Sequence, residues 1–341
     1  MIRRLDERES YNPSDLIGLI PRLSWRRVLV IGDLFLDEYI EGRAARLSRE
    51  APVPVLEFER RIYRPGGAAN PAQNIVALQG KAWQAGVIGD DEAGRQLMAE
   101  LVAAGVDATG VVTDPGRPTT VKTRIIARGS LRFPQQVARI DRLDRRPLAN
   151  EIERVMIRRI ESLAPQVEAV LVSDYRTGVA TEEVIAAARR SARLAGKLSA
   201  VDTQGNLERY REFDLVKCNQ SEAEATLRRE LKTCRQVEEA CQDLLDGLKA
   251  QAIVITRGAD GIAGLSRREG FILLPAANRS EVYDVVGAGD TVIAVLTMAM
   301  TARFPFDLAV RLANYAAGLV VRKLGNATTT QEELCWAVEH W

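Results

Sequence analysis

The stretch DVVGAGDTVIAVLTMAM, residues 284–300, combines a glycine turn, a carboxylate and a long apolar run. The N-terminus of a helix has unpaired N–H groups and a partial positive charge, so it attracts anions. Gly287 and Gly289 would let the backbone turn sharply and approach an anion without side-chain interference. The fragment alone is equally consistent with a plain turn in which Asp290 caps the helix, so the surrounding sequence has to decide.

The segments around this stretch indicate an α/β protein. Continuously apolar segments such as RRVLVIGD (26–33) and EAVLVSD (168–174) predict buried strands. Strands of this kind, separated by helices of about 10–15 residues, predict a mainly parallel central sheet with helices on both faces. The other predicted elements are strands at 198–202, 214–219 and 252–258, a hairpin at 260–276, a glycine turn leading into a helix at 66–80, and helices at 150–163, 181–196, 220–230, 235–249, 290–302 and 307–324.

Two segments, about 38–64 and 118–140, do not fit the central sheet because their polar and apolar residues alternate. We expect them to form a small separate β layer that is inserted from two places in the chain. The short amphipathic segment 13–23 predicts a helix within an N-terminal extension, residues 1–25. The main domain would then comprise residues 26–341.

Composition and charge argue against several classes of protein. Lys and Arg total 47 against 46 Asp and Glu, whereas a protein that binds nucleic acid through its phosphates normally has a basic excess. The N-terminus, MIRRLDERES, lacks the apolar core of a secretion signal, and the longest apolar stretch, within 292–300, is too short to span a bilayer. The four cysteines show no metal-binding spacing, so we expect reduced thiols in a cytoplasmic protein.

The histidine content limits the catalytic chemistry. His340, next to the last residue, is the only histidine. A serine–histidine triad, a histidine-bound zinc or a histidine general base would therefore depend on a chain end that we expect to fray. Acid–base chemistry is instead expected from carboxylates, lysines or thiols.

Polar residues follow several of the predicted strands. In parallel α/β sheets, ligands bind beyond the carboxyl ends of the strands. The residues at these ends are Asp33, Asp174, Asp202, Asn219 and Gly258. Five such residues on one edge of the sheet favour a binding site over ordinary loops.

Two other motifs have both a structural and a functional interpretation. NQSE (219–222) is either a plain helix cap with a first-turn glutamate or a site where Glu222 holds Mg²⁺ through water. GGAAN (66–70) is a second glycine turn before a helix, and Asp33 and Asp37 would supply acceptors for sugar hydroxyls beside it. The P-loop motif and the three-glycine dinucleotide fingerprint are absent from the sequence.

The order of these motifs resembles that of the ribokinase-like (phosphofructokinase-B type) carbohydrate kinases over nearly the whole chain, residues 25–335. Within the family, SREAPVPV (48–55) and NYAAGLVVRKLGNAT (314–328) are most similar to the kinases of heptose 7-phosphate. The resemblance implies a ribokinase-like α/β fold with a β lid that closes on the sugar and joins two subunits in a homodimer. The motifs that carry it are Gly32-Asp33, GGAAN at 66–70, SDY at 173–175, NQSE at 219–222, TRGADG at 256–261 and DVVGAGDT at 284–291.

The resemblance also implies roles for individual residues. Asp290 would be the base that deprotonates the attacking sugar hydroxyl, and Gly287, Ala288 and Gly289 would form the anion hole. ATP and Mg²⁺ are the expected cofactors, with Glu222 near the metal and a monovalent cation such as K⁺ near Asp284. The expected nucleotide-binding residues are Asn219, Gln220, Ser221, Glu222, Thr256, Gly258, Gly261 and Asn314. The expected sugar-binding residues are Asp33, Asp37, Gly66, Gly67, Asn70, Arg124 and Asp174.

Three positions depart from the heptose kinases. Thr177 and Gln204 stand where those enzymes have lysines, and Val286 stands where they have threonine. Candidate replacements for the lost cations are Arg43, Arg46, Arg49, Arg124 and Arg128.

The first hypothesis is therefore the ATP-dependent phosphorylation of a sugar phosphate, namely heptose 7-phosphate at its anomeric hydroxyl. The alternatives are a kinase for another sugar or a nucleoside, and a catalytically weakened family member that binds a sugar or a nucleotide.

Overall fold

The computed structural model describes residues 12–128, 135–278 and 282–341. In chain order, its helices and strands are α1 (Pro13–Leu19), β1 (Arg27–Gly32), β2 (Leu34–Leu47), β3 (Pro54–Gly67), α2 (Ala69–Ala77), β4 (Lys81–Gly89), α3 (Glu92–Ala103), β5 (Asp107–Asp114), β6 (Thr120–Arg128), β7 (Gln135–Arg142), α4 (Asn150–Leu163), β8 (Ala169–Asp174), α5 (Glu182–Leu194), β9 (Leu198–Thr203), β10 (Leu215–Asn219), α6 (Gln220–Leu227), α7 (Cys234–Leu248), β11 (Ala252–Thr256), β12 (Ile262–Ser266), β13 (Gly270–Leu274), α8 (Ala288–Thr301), α9 (Phe306–Val320) and α10 (Gln331–His340).

Within the described residues, nine strands form the central sheet in the order β13-β12-β11-β10-β9-β8-β1-β4-β5. The pairs from β11 to β5 are parallel, and β12 and β13 add an antiparallel hairpin at one edge. The prediction of a mainly parallel sheet is confirmed. From β1 the chain builds β4 and β5 on one side and then returns to build β8 on the other. This reversal places a crevice beyond the carboxyl ends of β1 and β8, where α/β proteins bind ligands.

The two faces of the sheet bury separate apolar cores. Along β1, Val28 and Val30 point into a core formed with α2, α8 and α9, while Leu29 and Ile31 point into one formed with α4, α5 and α7. Successive side chains of a strand project to opposite faces, so a strand that is covered on both sides has to be apolar throughout. The predicted helices on both faces are therefore confirmed.

The two alternating segments form a second sheet, with the order β3-β2-β6-β7. Its strands are longer than the patterns predict, because β2 begins at Leu34 and β3 continues to Gly67. Here β2 and β6 are parallel, whereas the other two pairs are antiparallel. We call this sheet the lid. Residues 129–134 of the segment predicted for it lie outside the described residues.

Some elements are missing from the sequence prediction. Residues 81–114 have no predicted element, yet they contain β4, α3 and β5. α10 is also unpredicted; Thr330 and Glu333 form a capping box at its start, and His340 is its exposed last residue. Of the predicted N-terminal extension, residues 12–25 are described and include α1. Helices of membrane-spanning length and apolarity are absent from the described parts of the chain.

Candidate active site

The quoted glycine turn forms the N-terminus of α8. Gly287 precedes the helix with a φ of +80°, in the left-handed region, and a Cβ atom there would lie 2.5 Å from Nδ2 of Asn70. Both the backbone conformation and the space therefore favour glycine. The first N–H groups of a helix lack partners within it, so this turn is a source of donors in front of α8. The Ala288 N–H makes a long hydrogen bond, of 3.4 Å, to the Val285 carbonyl.

Asp290 is the third residue of α8, and the N-cap position before the helix is occupied by Gly287. The Asn70 amide donates to Oδ2 of Asp290 at 2.8 Å, and the Tyr175 hydroxyl donates to Oδ1 at 2.6 Å. The aspartate is only 5% exposed. The interpretation of Asp290 as a plain helix cap does not fit this geometry, because two side chains from distant elements hold its carboxylate.

The surroundings of Asp290 increase its affinity for a proton. Burial, followed by the charge of Asp202, raises its pKa to about 6, although the hydrogen bonds from Tyr175 and Asn70 act in the opposite direction. Burial and the neighbouring Asp290 charge raise the pKa of Tyr175 well above its usual value, so the phenol keeps its proton and donates. A carboxylate that is ionised at neutral pH but more basic than usual is suited to general-base catalysis.

Asp290 lies in the wall of a cavity of about 690 Å³ at the carboxyl ends of the central strands. The predicted site residues that line it are Asp37, Gly67, Arg124, Asp174, Asn219, Glu222, Thr256, Gly258, Gly261, Gly287, Ala288, Gly289, Asp290 and Asn314. The predicted residues outside its wall are Asp33, Gly66, Asn70, Gln220, Ser221 and Asp284. The tertiary structure thus brings all four predicted catalytic residues to one cavity.

Asp33 lies beneath the cavity. Its fully buried carboxylate accepts hydrogen bonds from the backbone N–H groups of Tyr175, Thr177 and Val179, at 2.7, 3.2 and 3.2 Å. Burial and the charge of Asp174 raise its pKa to about 6. Asp33 therefore orders the loop after β8 and is not part of the cavity wall.

Asp37, in contrast, faces the cavity at the start of the lid. Arg124 donates to its Oδ1 at 2.5 Å, and the Asn326 amide donates to its Oδ2. A Cβ atom on Gly66 would overlap the Asp37 carboxylate, so Gly66 makes room for this aspartate. Asp37 is 2% exposed and Arg124 is 7% exposed, which makes the pair a buried one.

The NQSE motif has the geometry of a helix cap. The Glu222 N–H donates to Oδ1 of Asn219 at 2.9 Å, and the Asn219 N–H donates to Oε2 of Glu222 at 2.7 Å. Both residues also line the cavity. Gln220, however, donates to Glu224 at 3.0 Å, and Ser221 is exposed outside the cavity wall. The described residues contain no cluster of three or more His, Cys, Asp or Glu side chains that could hold a metal ion.

One end of the cavity is formed by β11, β12 and α9. The Asn314 amide donates to the Pro275 carbonyl at 2.8 Å, which fixes its side chain at this rim. Asp284 is not in the wall; its two oxygens accept the N–H groups of Val286 and Gly325, at 3.0 and 2.9 Å, and so order the turn before Gly287. The small and apolar residues of this end are Ala259, Ile262, Ala276, Ala277, Val282, Ala317, Gly318 and Val321.

The lid closes the other end and contributes three cations, Lys122, Arg124 and Arg139, which we call the lid cations. The Lys122 ammonium lies 3.8 Å from the centre of the Phe35 ring. Of the five arginines proposed as replacements for the missing lysines, only Arg124 lines the cavity. The other four lie outside its wall: Arg43, Arg46, Arg49 and Arg128. Arg43, for example, pairs with Glu57 on the exposed part of the lid.

Sequence reasoning assigned no role to Tyr175, Lys122, Arg139 or Lys217. Tyr175 belongs to the quoted SDY motif, but its partner Asp290 is 115 residues away. Lys217 carries a detectable signal, since a lysine within the otherwise apolar strand DLVKCN is unusual for a buried position. The two lid residues carry no comparable signal in a segment with many basic residues.

A helix N-terminus with a buried carboxylate beside it, and a β lid at the carboxyl ends of a parallel sheet, are features of the ribokinase-like small-molecule kinases. The sequence profile of the pfkB family of carbohydrate kinases matches residues 26–333. The chain belongs to this family and is a carbohydrate kinase.

Curated relatives include proteins named "Bifunctional protein HldE". The one from Geotalea uraniireducens is 39% identical over 327 residues, which cover 96% of this chain and 66% of the relative. The one from Geobacter metallireducens is 41% identical, and the match covers 61% of that protein. The one from Helicobacter pylori is 37% identical, and the match covers 66% of it. This chain therefore spans somewhat less than two thirds of the length of these relatives.

Solved structures share the fold at low sequence identity. Phosphofructokinase-2 from Escherichia coli in complex with substrates and products has a TM-score of 0.75 at 19% identity, covering 93% of this chain and 99% of that one. Arabidopsis thaliana ribokinase complexed with ribose and ATP has a TM-score of 0.70 at 18% identity, covering 93% and 100%. These similarities establish the ribokinase-like fold.

Proposed function

We propose that this protein transfers the γ-phosphoryl group of ATP to the anomeric hydroxyl of heptose 7-phosphate, giving heptose 1,7-bisphosphate and ADP. The observation that carries the proposal is the distribution of residues in the cavity wall along the strand order. The lid, which continues from β1, contributes the lid cations, whereas β11 and β12, beyond β8–β10, contribute small and apolar residues. Asp290 contacts Tyr175, just after β8, and so lies between these two parts of the wall. A sugar that already bears a phosphate would present that anion to the lid cations and its hydroxyl to Asp290. The HldE relatives and the similarity to heptose kinases support heptose 7-phosphate as this sugar phosphate.

The apolar end suits the nucleotide. Its small residues leave space for a flat base, and Thr256 and Asn314 add polar groups at its rim. The nucleotide phosphates would then extend past Asn219 and Glu222 towards the glycine turn. Phosphoryl transfer needs mainly positioning and electrostatic stabilisation, which a helix N-terminus in a partly closed cavity supplies.

In the proposed reaction, every proton and every bond that changes is accounted for by Asp290, the sugar and ATP. Asp290 accepts the proton of the sugar hydroxyl, and the sugar oxygen forms a bond to the γ-phosphorus. The bond between that phosphorus and the β,γ-bridging oxygen breaks, and its electron pair leaves on ADP. Gly287, Ala288 and Gly289 would stabilise the charge on the transferring group through backbone N–H donors.

Mg²⁺ fits this site as an ion held mainly by the ATP phosphates and water, because few protein carboxylates converge there. Glu222 lines the cavity and is the residue that would orient its water ligands. When bound, Mg²⁺ supplies charge neutralisation of the phosphates. A monovalent cation near Asp284 is also part of the proposal, and comparing turnover in potassium chloride and tetramethylammonium chloride tests it.

The proposal includes a homodimer formed through the lid, in the cytoplasm. Large apolar side chains are exposed on the lid, with Phe58 at 67%, Ile140 at 60% and Leu47 at 72%. Exposed apolar groups in one region are typical of a surface that another subunit covers. Phe58→Glu should shift the mass measured by light scattering from dimer to monomer; a wild-type protein that is monomeric at all concentrations would contradict the dimer.

A substrate panel tests the function. The purified protein is supplied with Mg²⁺-ATP and heptose 7-phosphate, fructose 6-phosphate, ribose or adenosine, and ADP release and product mass are measured. We expect kcat/KM for heptose 7-phosphate to exceed that for the unphosphorylated compounds by at least about 100-fold, because desolvated charge pairs between a phosphate and the lid cations contribute several kcal/mol. Preference for ribose or adenosine would contradict the proposal and favour the other-kinase alternative.

The remaining alternative is a weakened family member that binds ligands without turnover. Isothermal calorimetry with heptose 7-phosphate and ATP separates this case from an inactive preparation. Binding of both compounds with no ADP release would contradict the kinase proposal and support the binding-only function.

A further inference from the structure

Lys217 is a buried cation in the middle of the active site, and it has no role in the proposed reaction so far. It lies on β10, two residues before Asn219, so the alternation of a strand directs both side chains to the same face. Its side chain is 6% exposed and lines the cavity. The ammonium contacts both oxygens of Asp202, at 2.9 and 2.8 Å.

The position of the ammonium is defined by the glycine turn. A Cβ atom on Gly289 would lie 2.7 Å from Nζ of Lys217, so the ammonium packs directly against the second residue of α8. Glycine at this position therefore has a second function besides a tight turn, because any other side chain would displace the lysine. The N-terminus of α8 and the ammonium are therefore neighbours in the wall of the cavity.

The ammonium lies beside the positive end of α8, so its charge depends on neighbouring anions. A cation beside the positive end of a helix is repelled by the helix dipole. Burial also opposes the charge, but the Asp202 carboxylate, followed by Glu222 and Asp290, raises the pKa of Lys217, so the ammonium stays charged. An ammonium has three N–H donors, and Asp202 can accept two of them. At least one N–H of the Lys217 ammonium therefore remains for a ligand at the N-terminus of α8.

We propose that Lys217 is a catalytic residue that contacts the transferring γ-phosphoryl group together with the N–H groups of the glycine turn. The inference rests on the proposed kinase reaction and adds a cation to it. Lys217 would exchange no proton and form no bond; it compensates the charge that spreads over the γ-phosphoryl oxygens as the bond to ADP breaks. Asp202 is then a positioning residue that keeps the ammonium charged and directed at Gly289.

The first experiment compares nucleotides. The affinities for ADP and for the non-hydrolysable analogue with an imido group between the β- and γ-phosphates are measured by calorimetry with Mg²⁺ present. In the Lys217→Met/Asp202→Asn double variant, which removes both charges and leaves no unpaired carboxylate, we expect about tenfold weaker binding of the analogue and unchanged binding of ADP. Equal loss for both nucleotides, or no loss for either, would overturn the proposal.

The second experiment measures turnover. The same double variant should lose about 10²–10³-fold in kcat, the size of effect seen when a donor to a transition-state charge is removed. The matched control is Lys122→Met, which removes a lid cation from the same cavity. It should raise the KM for the sugar phosphate and leave the binding of the imido analogue unchanged. A double variant that is folded by circular dichroism and keeps the wild-type kcat would overturn the proposal.

The two proposals fail in different ways. If the wild-type protein phosphorylates no sugar phosphate, the proposed substrate is wrong, while the comparison of ADP with the imido analogue still tests Lys217. If turnover is normal in the double variant, the kinase function stands and the assignment of Lys217 is wrong.

Discussion

The floor of the active site and the lid hold their charges in different ways. We define the floor as the carboxyl ends of the central strands together with the N-terminus of α8. In the floor, the Lys217–Asp202 pair has side chains that are 6% and 14% exposed, whereas in the lid Arg43 and Glu57 are 64% and 58% exposed. All six residues of β8 are buried, and all eight of β7 are exposed.

This difference separates two tasks of a kinase. Charges in the floor are fixed by packing and have little water to screen them, so they can act strongly on a reacting phosphoryl group. Charges on the outer lid are screened and contribute little to stability. In the proposed reaction the chemistry would depend on the floor, while the lid would provide cations for the substrate where its strands meet the cavity. Each of the following predictions tests one side of this comparison.

The largest effect is expected from Asp290→Asn in the floor. The substitution keeps the shape of the side chain and removes the base, so kcat should fall by about 10²–10⁴-fold. Steady-state assays with ATP and the best substrate of the panel measure this loss. The affinity for ADP serves as the control and should stay within about threefold of wild type. Wild-type turnover by this variant would show that the base is another group.

The buried ion pair between Arg124 and Asp37 should contribute more to the stability of the protein than an exposed ion pair of the lid does. Arg124→Gln leaves the buried Asp37 carboxylate without its cation, and we expect a loss of about 3 kcal/mol in the free energy of unfolding. The matched variant Arg43→Gln removes an exposed cation and should cost less than about 1 kcal/mol. Urea denaturation of both variants gives the two values. Equal losses would contradict the distinction between buried and exposed charges.

The glycine turn can be compared with a second glycine of similar conformation. Gly287→Ala combines a φ of +80° with a contact to Asn70, and it should destabilise the protein by about 2–3 kcal/mol. Gly196 has a φ of +64° with open space around it, so Gly196→Ala should cost only about 1 kcal/mol. Thermal unfolding of both variants checks the difference. A cost at Gly287 no greater than that at Gly196 would mean that the turn adapts without strain.

The smallest expected effect is the decrease of kcat/KM at low pH. Asp290 must be ionised to accept a proton, and its pKa of about 6 lies above the ordinary value because burial and Asp202 disfavour the charge. The other groups that face it are Tyr175, Asn70 and Lys217. As the pH falls through 6 the carboxylate is protonated, so kcat/KM should be about tenfold below its plateau at pH 5. The residual kcat/KM of Asp290→Asn should not fall between pH 7 and pH 5. A wild-type kcat/KM that stays constant down to pH 5 would contradict the raised pKa.

Much of the fold could be predicted because most of its helices and strands show the hydrophobic periodicity that is typical of their type. The helix predicted at 150–163 is α4, Asn150–Leu163, and the strand predicted at 168–174 is β8, Ala169–Asp174. The patterns failed for β5, whose sequence DATGVVTD is too polar to indicate a strand at the edge of a sheet. They also failed for α10, where a capping box at Thr330 was present but not recognised.

The sequence by itself determined that the protein is an α/β carbohydrate kinase, because the order of the motifs depends only on the chain. It also singled out Asp290 as the candidate base through the family resemblance. The tertiary structure decided which side chains meet. Asn70 and Asp290 are 220 residues apart, and no periodicity relates them. Asp33 orders a loop instead of facing the cavity, and Lys217 reaches Gly289, because strand register and the docking of α8 set distances to a few tenths of an ångström. Local propensity specifies each element, whereas long-range packing specifies the contacts on which catalysis depends.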